Sequence, residues 1–574
     1  MPVKKYSKPE AIIVLLLLVS LIIQSFISLE NNSVAWDETC FIGHGKAIFD
    51  TGYMRYMLLM DHPPLSYYIN SIFLLPLKFD KKIFEPAPES GIECYKIGER
   101  VLFQSGYDFE KILFLSRLPF IFVSVILAFY VLKWASELYG KKSGIVALFL
   151  YSFSPSIIAY SSLAVSDFVV AAMIFISTYH FYSLLMQKSK RRMLFAGISF
   201  GLALLSSAAS LLLIPLFAMI GLKAVKEKRL KAKALMKYYF IIFIIAFIVI
   251  LAFHKFQFGT FNGSLPPGRY SEVARKELAK LPFSAQLLFV YDRVPLPVPV
   301  FIGSIGTIFY LSVQKKYGYA FGRVTDGVVW YFALLTFLIK TNLPLLIILL
   351  LLIAFRKKLP EKEAIAGMSL VLPVILILLV FSGTNKMSGV RHILGIYPFI
   401  FVLAGSIINI KIKRKKYFNV FIAILLFFYA LGTLSVAPHY LSYINMISSG
   451  PDNGWKITVG SNIDWGQDLK GLKDYMGKNN IGKIKLSYFG SVDPKHYNIS
   501  YEYMPSPYFQ PWDPNYSVVQ QSRYEDCSER KGLIAISVTN LQNVYLVNKT
   551  CYAWLKNYEP KAKIGYSIFI YDIK

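Results

Sequence analysis

Acidic side chains are scarce in this chain. Its 574 residues hold 34 Asp and Glu against 62 Lys and Arg, a formal net charge of +28 that in a soluble protein would point to nucleic acid. The chain lacks what that reading requires. It has no folded basic module with interleaved aromatics, and its basic residues fall in short blocks between apolar runs. No internal repeat is visible, and ionisable residues collect at the ends of the apolar runs. Transporters, by contrast, tend to carry inverted repeats, broken helices and ionisable groups at the midplane. A cleavage site is missing too: the run Ala11 to Leu29 follows Lys4, Lys5 and Lys8, but no small-residue site follows it, so it reads as a retained helix.

Apolar sequence is what the chain has in abundance, at 55% hydrophobic residues. Its runs suit crossings of a hydrocarbon core ~30 Å thick. About eleven such runs are expected, near 11–29, 112–136, 144–161, 167–186, 193–207, 208–222, 238–254, 333–355, 364–381, 393–410 and 417–436. Basic blocks at Lys141-Lys142, Lys188 to Arg192, Lys223 to Lys237, Arg356 to Lys362 and Lys411 to Lys416 follow every second run. The positive-inside rule puts them and the N-terminus in the cytoplasm. An odd number of crossings sends the C-terminus outside. The fifth and sixth runs are short, so the turn Ser206 to Ser210 between them is expected below the outer surface, covered by protein or a wet cavity.

The expected fold class is therefore a polytopic α-helical protein of the cell membrane, with a membrane domain over 1–436 and a small extracytoplasmic α/β domain over 437–574. Large external loops cover 30–110 and 255–332. Within the tail, Trp455 to Val459, Lys483 to Phe489, Gly532 to Val538 and Ile564 to Tyr571 read as strands, and Asp468 to Tyr475 as a helix. Cys40 and Cys94 fall on the first external loop, Cys527 and Cys551 in the tail. Two external pairs suggest two disulfides, one per region; four free thiols are the other reading. The sequons at Asn31, Asn262, Asn498, Asn515 and Asn548 also map outside.

Several chemistry-bearing residues lie at outer ends of the runs. Asp37 and Glu38 follow the first run in Trp36-Asp37-Glu38, and the same loop carries Asp61-His62-Pro63-Pro64-Leu65. Asp167 opens the fourth run, and Arg391-His392 lies between the ninth and tenth. A carboxylate positioned at a membrane surface can take a proton from a bound hydroxyl as a general base. Asp37 or Glu38 is the candidate; the alternative for Asp37 is an N-cap of the segment Glu38 to Phe49. His62, with Asp61, is open to three readings: a metal ligand, an acceptor contact or a loop cap. Arg391 and His392 sit at a helix start, where a guanidinium and backbone N–H groups address an anion; a snorkelling arginine is the alternative. Lys340 interrupts an apolar run, and its ammonium either pairs with a lipid phosphate or snorkels.

The acidic pair after the first helix, the Asp167 loop, the Arg391-His392 element followed by Tyr397-Pro398, and the stretches Pro438 to Asn445, Gly450 to Gly454 and Ser461 to Leu469 resemble the GT-C glycosyltransferases. Within them the resemblance is to glycosyltransferase family 39, the branch of protein O-mannosyltransferases and aminoarabinose transferases, in its prokaryotic form. It implies a GT-C fold and a monosaccharide transferase, hexosyl or pentosyl, that uses a polyprenyl- or dolichyl-phosphate donor. The acceptor would be a hydroxyl of a protein, lipid or glycan, reached on the extracytoplasmic face and attacked with inversion. It implies Asp37 as the catalytic Asp, Asp167 as a second acid facing it, and Arg391 with His392 as phosphate ligands. A divalent metal shared by the two acids stays open, since the mechanism requires none. Two departures matter. The Asp167 loop lacks the second neighbouring acid of eukaryotic mannosyltransferases, and the tail is not their β-trefoil, so mannose and a protein acceptor do not carry over. The oligosaccharyltransferase signature Trp-Trp-Asp is absent. Readings from other classes are a lipid-linked sugar flippase and a non-catalytic envelope assembly factor.

Overall fold

The computed structural model describes residues 6–52, 62–85, 93–264, 275–313, 317–359, 363–384, 387–506 and 526–574. Asp61 and the Asn515 sequon lie outside the described residues. The chain is a polytopic helical membrane protein with a small α/β unit at its C-terminal end. Among the described residues eight helices are long and apolar enough to cross a membrane, or up to ten if each of two bent pairs is one span. The expected run outside that number is the fifth, 193–207: it is the helix Lys190–Leu204, whose 15 residues rise only about 22 Å. That is short of a full crossing.

Local sequence sets the helix ends. Ser7 and Glu10 form a capping box, with the Ser7 N–H donating to Glu10 Oε2 at 2.8 Å. Asp108 caps the helix Phe109–Tyr139 by accepting from Glu110 N at 3.1 Å, and Gly140 stops it. The first bent pair, Lys141–Ser152 with Pro155–Ser161, turns by 62°, where Pro155 cannot continue the preceding ladder. The second, Phe332–Lys340 with Leu343–Ala354, turns by 112°. Its break is covered by protein, as irregular backbone at that depth must be: Asn342 Nδ2 donates to Tyr429 O and Thr433 Oγ1, both at 3.1 Å.

The tail folds around a five-stranded sheet in the order Tyr501–Tyr503, Ile484–Ser487, Gly532–Ser537, Ile568–Ile573, Ala562–Ile564. The first three strands run parallel to one another, and Ile568–Ile573 runs antiparallel to both its neighbours. The helix Leu469–Lys478 precedes the sheet. Trp455 to Val459, expected as a strand, is instead a 3₁₀ turn, Gly454–Lys456, followed by irregular chain. Its carbonyls accept from scattered side chains and backbone and from no strand ladder: Gln542 Nε2 donates to Trp455 O at 3.2 Å, the Tyr319 hydroxyl to Lys456 O at 3.2 Å and Phe321 N to Ile457 O at 3.0 Å. Between the seventh and eighth expected runs the chain carries the helices Ser284–Arg293 and Pro299–Val313 and a hairpin, Tyr317–Ala320 with Arg323–Asp326. None of these is legible in the loop's composition.

Cys40 is bonded to Cys94 and Cys527 to Cys551. The first bond ties the loop helix Glu38–Thr51 to the helix Glu93–Phe103. The two meet at Gly43 and Gly98, where a Cβ on Gly43 would lie 2.5 Å from the Gly98 backbone and one on Gly98 would collide with the Thr39 carbonyl. Only glycine lets the two backbones approach this closely. The tail docks directly on this layer: Ser33 N and Trp36 N donate to Gln467 O and Trp465 O, each at 2.8 Å, and Trp36 stacks on Phe489 at 4.7 Å.

Candidate active site

Asp37 and Glu38 are adjacent in sequence and opposite in environment. Glu38 starts the loop helix and faces inward, where its carboxylate is sealed at 0% exposure. Oε1 accepts from Arg117 Nε and Ala164 N, both at 2.8 Å, and Oε2 from Arg117 Nη2 at 2.6 Å and Ala35 N at 2.8 Å. Arg117 spends its remaining donors on the Leu29, Asn32 and Ser33 carbonyls. A carboxylate with four donors and no access to solvent has no room for an acceptor proton. Glu38 is thus withdrawn as a base, and its work is to pin the first loop to the bundle.

Asp37 occupies the N-cap position, yet its side chain makes no capping hydrogen bond. It turns instead to Arg391, which donates from Nη1 to Asp37 Oδ2 at 2.5 Å. The same Nη1 lies 3.8 Å from Asp167 Oδ2, and His392 Nδ1 lies 3.9 Å from Asp167 Oδ1. These four side chains are 13–21% exposed, so unlike Glu38 they remain within reach of a ligand. Gly389, at φ +89, turns the chain into the 3₁₀ segment Val390–Ile396, and Asn462 Oδ1 accepts from Val390 N at 2.9 Å. That bond fixes the backbone from which Arg391 projects. His392 lies flat on Phe381 with ring centroids 5.4 Å apart.

Two groups in this cluster were not singled out by the sequence. The Arg391 guanidinium lies over the Trp465 ring face, 4.5 Å from its centroid, a cation–π contact that restrains the guanidinium beside the acids. Tyr95 donates to Asp37 Oδ1 at 3.4 Å and accepts from Trp36 Nε1 at 3.1 Å. Burial, followed by the charge of Asp37, pushes the Tyr95 hydroxyl well above its ordinary pKa. It therefore remains a donor. Trp465 was visible inside the Ser461 to Leu469 stretch; Tyr95 carries only the signal of standing next to Cys94.

Lys340 is not part of the cluster. Its ammonium is buried and donates to Leu441 O at 2.7 Å and Asn462 O at 2.6 Å. It braces, through Asn462, the loop that carries Arg391, and its donors face backbone carbonyls, so it is withdrawn as a phosphate ligand. His62 packs on the Phe41 ring at 5.2 Å. A divalent ion shared by Asp37 and Asp167 would have to displace Arg391 from between them. His44 lies near Cys40 and Cys94, but their sulfurs are joined and offer no thiolate.

Asp464 and Asp468 are buried and serve the tail. Asp468 Oδ2 accepts from Ser567 Oγ at 2.6 Å and Gln467 Nε2 at 2.8 Å, and its Oδ1 lies 3.3 Å from His439 Nδ1. Asp464 accepts from Thr539 N at 3.1 Å, and burial pushes its carboxyl up to about 7. Because the folded state holds this proton more tightly than the unfolded chain, whose Asp titrates near ~3.9, the contribution of Asp464 to stability is fully present below about pH 4 and is lost as pH rises toward 7. Thermal melts at pH 5 and pH 8 should differ less in Asp464→Asn than in the wild type; an unchanged difference would remove Asp464 as its source.

Of the cluster, comparison with a family model reaches Asp167. Residues 109–254 match the family model described as dolichyl-phosphate-mannose-protein mannosyltransferase. No curated protein matches. Among solved structures, ArnT from Cupriavidus metallidurans bound to undecaprenyl phosphate aligns over 97% of both chains at 11% identity with a TM-score of 0.44. Its apo form gives 0.45 at the same identity and coverage. The archaeal oligosaccharyltransferase AglB from Archaeoglobus fulgidus, in complex with an inhibitory peptide and a dolichol-phosphate, aligns over 84% of this chain and 59% of its own at 13% identity, TM-score 0.41.

Proposed function

We propose that the chain is a membrane glycosyltransferase that moves a monosaccharide from a polyprenyl- or dolichyl-phosphate to an acceptor hydroxyl on the extracytoplasmic face, with inversion. The observation that carries this reading is the half-open cluster in which Arg391 bridges Asp37 and Asp167. A general base and a phosphate-binding cation are the two parts such a transfer needs, and here they are in contact. The matched mannosyltransferase region supports it, since it contains Asp167.

In the resting site the base is occupied. Arg391 sits on Asp37 at 2.5 Å, and an arriving lipid phosphate competes for the same guanidinium. As the phosphate draws Arg391 away, Asp37 gains a free oxygen for the acceptor O–H. Asp37 then takes the proton while the acceptor oxygen forms its bond to the anomeric carbon. The bond from that carbon to the phosphate oxygen breaks with its electron pair, and the lipid phosphate departs held by Arg391. Tyr95 orients Asp37, and Trp465 restrains the guanidinium. Donor binding thus precedes activation of the acceptor. A flippase would need none of this arrangement.

Purified protein in liposomes, given a set of polyprenyl- and dolichyl-phosphate sugars, should release lipid phosphate in the presence of an acceptor. Arg391→Ala should weaken donor binding by about ten- to a hundredfold, the worth of ~1.5–3 kcal/mol for a charged hydrogen bond. Unchanged donor affinity in that variant would remove Arg391 from the phosphate site. The topology that puts the cluster outside is tested separately: a cysteine placed at Lys231 should stay unlabelled by an impermeant thiol reagent in intact cells, and labelling there would invert the proposed orientation.

A further inference from the structure

We propose that a second pocket, at the end of the bundle opposite Asp37, holds a membrane phospholipid whose head group carries both a phosphodiester and a primary ammonium. The helix Lys8–Asn31 relates the two sites. Its last residues lead into the Asp37 loop, and Tyr6, just before its first turn, lines the second pocket. The 24 residues between span about 36 Å, so the pocket is remote from the transfer site and the inference does not rest on the proposed reaction.

The cavity has a volume of about 640 Å³, and three charged side chains line it, Lys133, Glu137 and Arg192. Lys133 and Glu137 stand one turn apart near the end of the helix Phe109–Tyr139, and Arg192 lies in the first turn of Lys190–Leu204. Among the described residues none of the three has an oppositely charged partner within 4 Å. The Lys133 ammonium faces the Tyr179 ring at 5.5 Å. Glu137 accepts from the Tyr179 hydroxyl at 3.0 Å on both oxygens. Arg192 is held in place by Ser183 and by Gln187 Oε1 at 2.5 Å, neutral groups, and it feels the Glu137 charge only from beyond ion-pair distance. Ionisable groups near a membrane are costly to leave unpaired. Two cations and one carboxylate around one cavity match a ligand that brings one phosphate charge and one ammonium.

The surroundings select a lipid over a free phosphate. Phe129 and Leu132 form part of the pocket wall. Phe129 also continues a row with Phe122 and Ile126, each 50–55% exposed, at the spacing of one face of the helix. That row gives acyl chains a path from the hydrocarbon into the cavity mouth, and basic pockets between membrane helices are established places for lipid head groups. Lys133 and Arg192 would hold the phosphodiester and Glu137 the ammonium.

The test uses the delipidated full chain in detergent, mixed with phosphatidylethanolamine or phosphatidylglycerol and read by native mass spectrometry. One phosphatidylethanolamine should be retained per chain in preference to phosphatidylglycerol. The double variant Lys133→Gln/Arg192→Gln should lose retention of both lipids by about tenfold or more, as expected for a lost charged hydrogen bond. Glu137→Gln, which preserves an acceptor for Tyr179, should keep binding but lose the preference for ethanolamine. Equal retention of the two lipids by the wild type, retention unchanged in the double variant, or displacement of the lipid by millimolar inorganic phosphate would each overturn the proposal. Melting curves of the variants separate loss of the site from loss of the fold.

Discussion

Asp37→Asn is expected to slow sugar transfer by the ~10²–10⁴-fold typical of a lost general base, while leaving donor binding intact or tighter. The asparagine keeps the shape and can still accept from Tyr95, but it cannot take the acceptor proton. It also removes the negative partner that holds Arg391 at 2.5 Å, so the guanidinium is freer to meet a phosphate, and the donor's apparent affinity should not fall. Loss of rate with affinity retained is the signature of a group that acts in the transition state. A merely structural Asp37 would lower both or neither. Near-normal turnover of Asp37→Asn on a lipid-phosphate donor would pass the base to Asp167, the other acid beside Arg391 with access to solvent. It would not pass to Glu38, whose four donors and complete burial exclude a proton from the acceptor.

The distinction between Asp37 and Glu38 shows where the sequence stops being legible. Both stand in one tripeptide, and pattern alone leaves either as the base. In a helix start, successive residues point about 100° apart, so one faces the bundle and the other the cavity, and which is which depends on what each face meets. Glu38 meets Arg117, 79 residues further on; Asp37 meets Arg391, 354 residues further on. The helical character and the residue types of the cluster were readable because apolar runs and acidic or basic residues at their ends are local signals. Pairings across hundreds of residues are not local. Arg117 carries a local signal all the same, being a lone guanidinium inside a long apolar helix, where an ionisable residue demands a partner. Lys340 carries the same signal, and neither a lipid phosphate nor snorkelling answers it: its ammonium meets the carbonyls of Leu441 and Asn462 because the tail folds back over the bent span, a contact that no periodicity in either segment announces.

Loss of Arg117 should therefore be felt in stability before chemistry. Arg117→Met leaves the Glu38 carboxylate buried with two donors removed, and breaking one side of a buried pair costs about 3–5 kcal/mol. It also strands the Leu29, Asn32 and Ser33 carbonyls that the guanidinium satisfied. These carbonyls close the first helix and open the loop that ends at Asp37, so the base loses its seat when they are released. Glu38→Gln alone also breaks the pair, because it leaves the Arg117 guanidinium buried without its countercharge, though the Leu29, Asn32 and Ser33 carbonyls still accept from it. The double variant Glu38→Gln/Arg117→Met should be more stable than Arg117→Met alone, since the uncompensated charge is gone. A thermal-unfolding cycle over the four proteins measures that coupling. If instead Glu38→Gln melts like the wild type yet transfers no sugar, Glu38 takes part in the reaction and the structural role assigned to it fails.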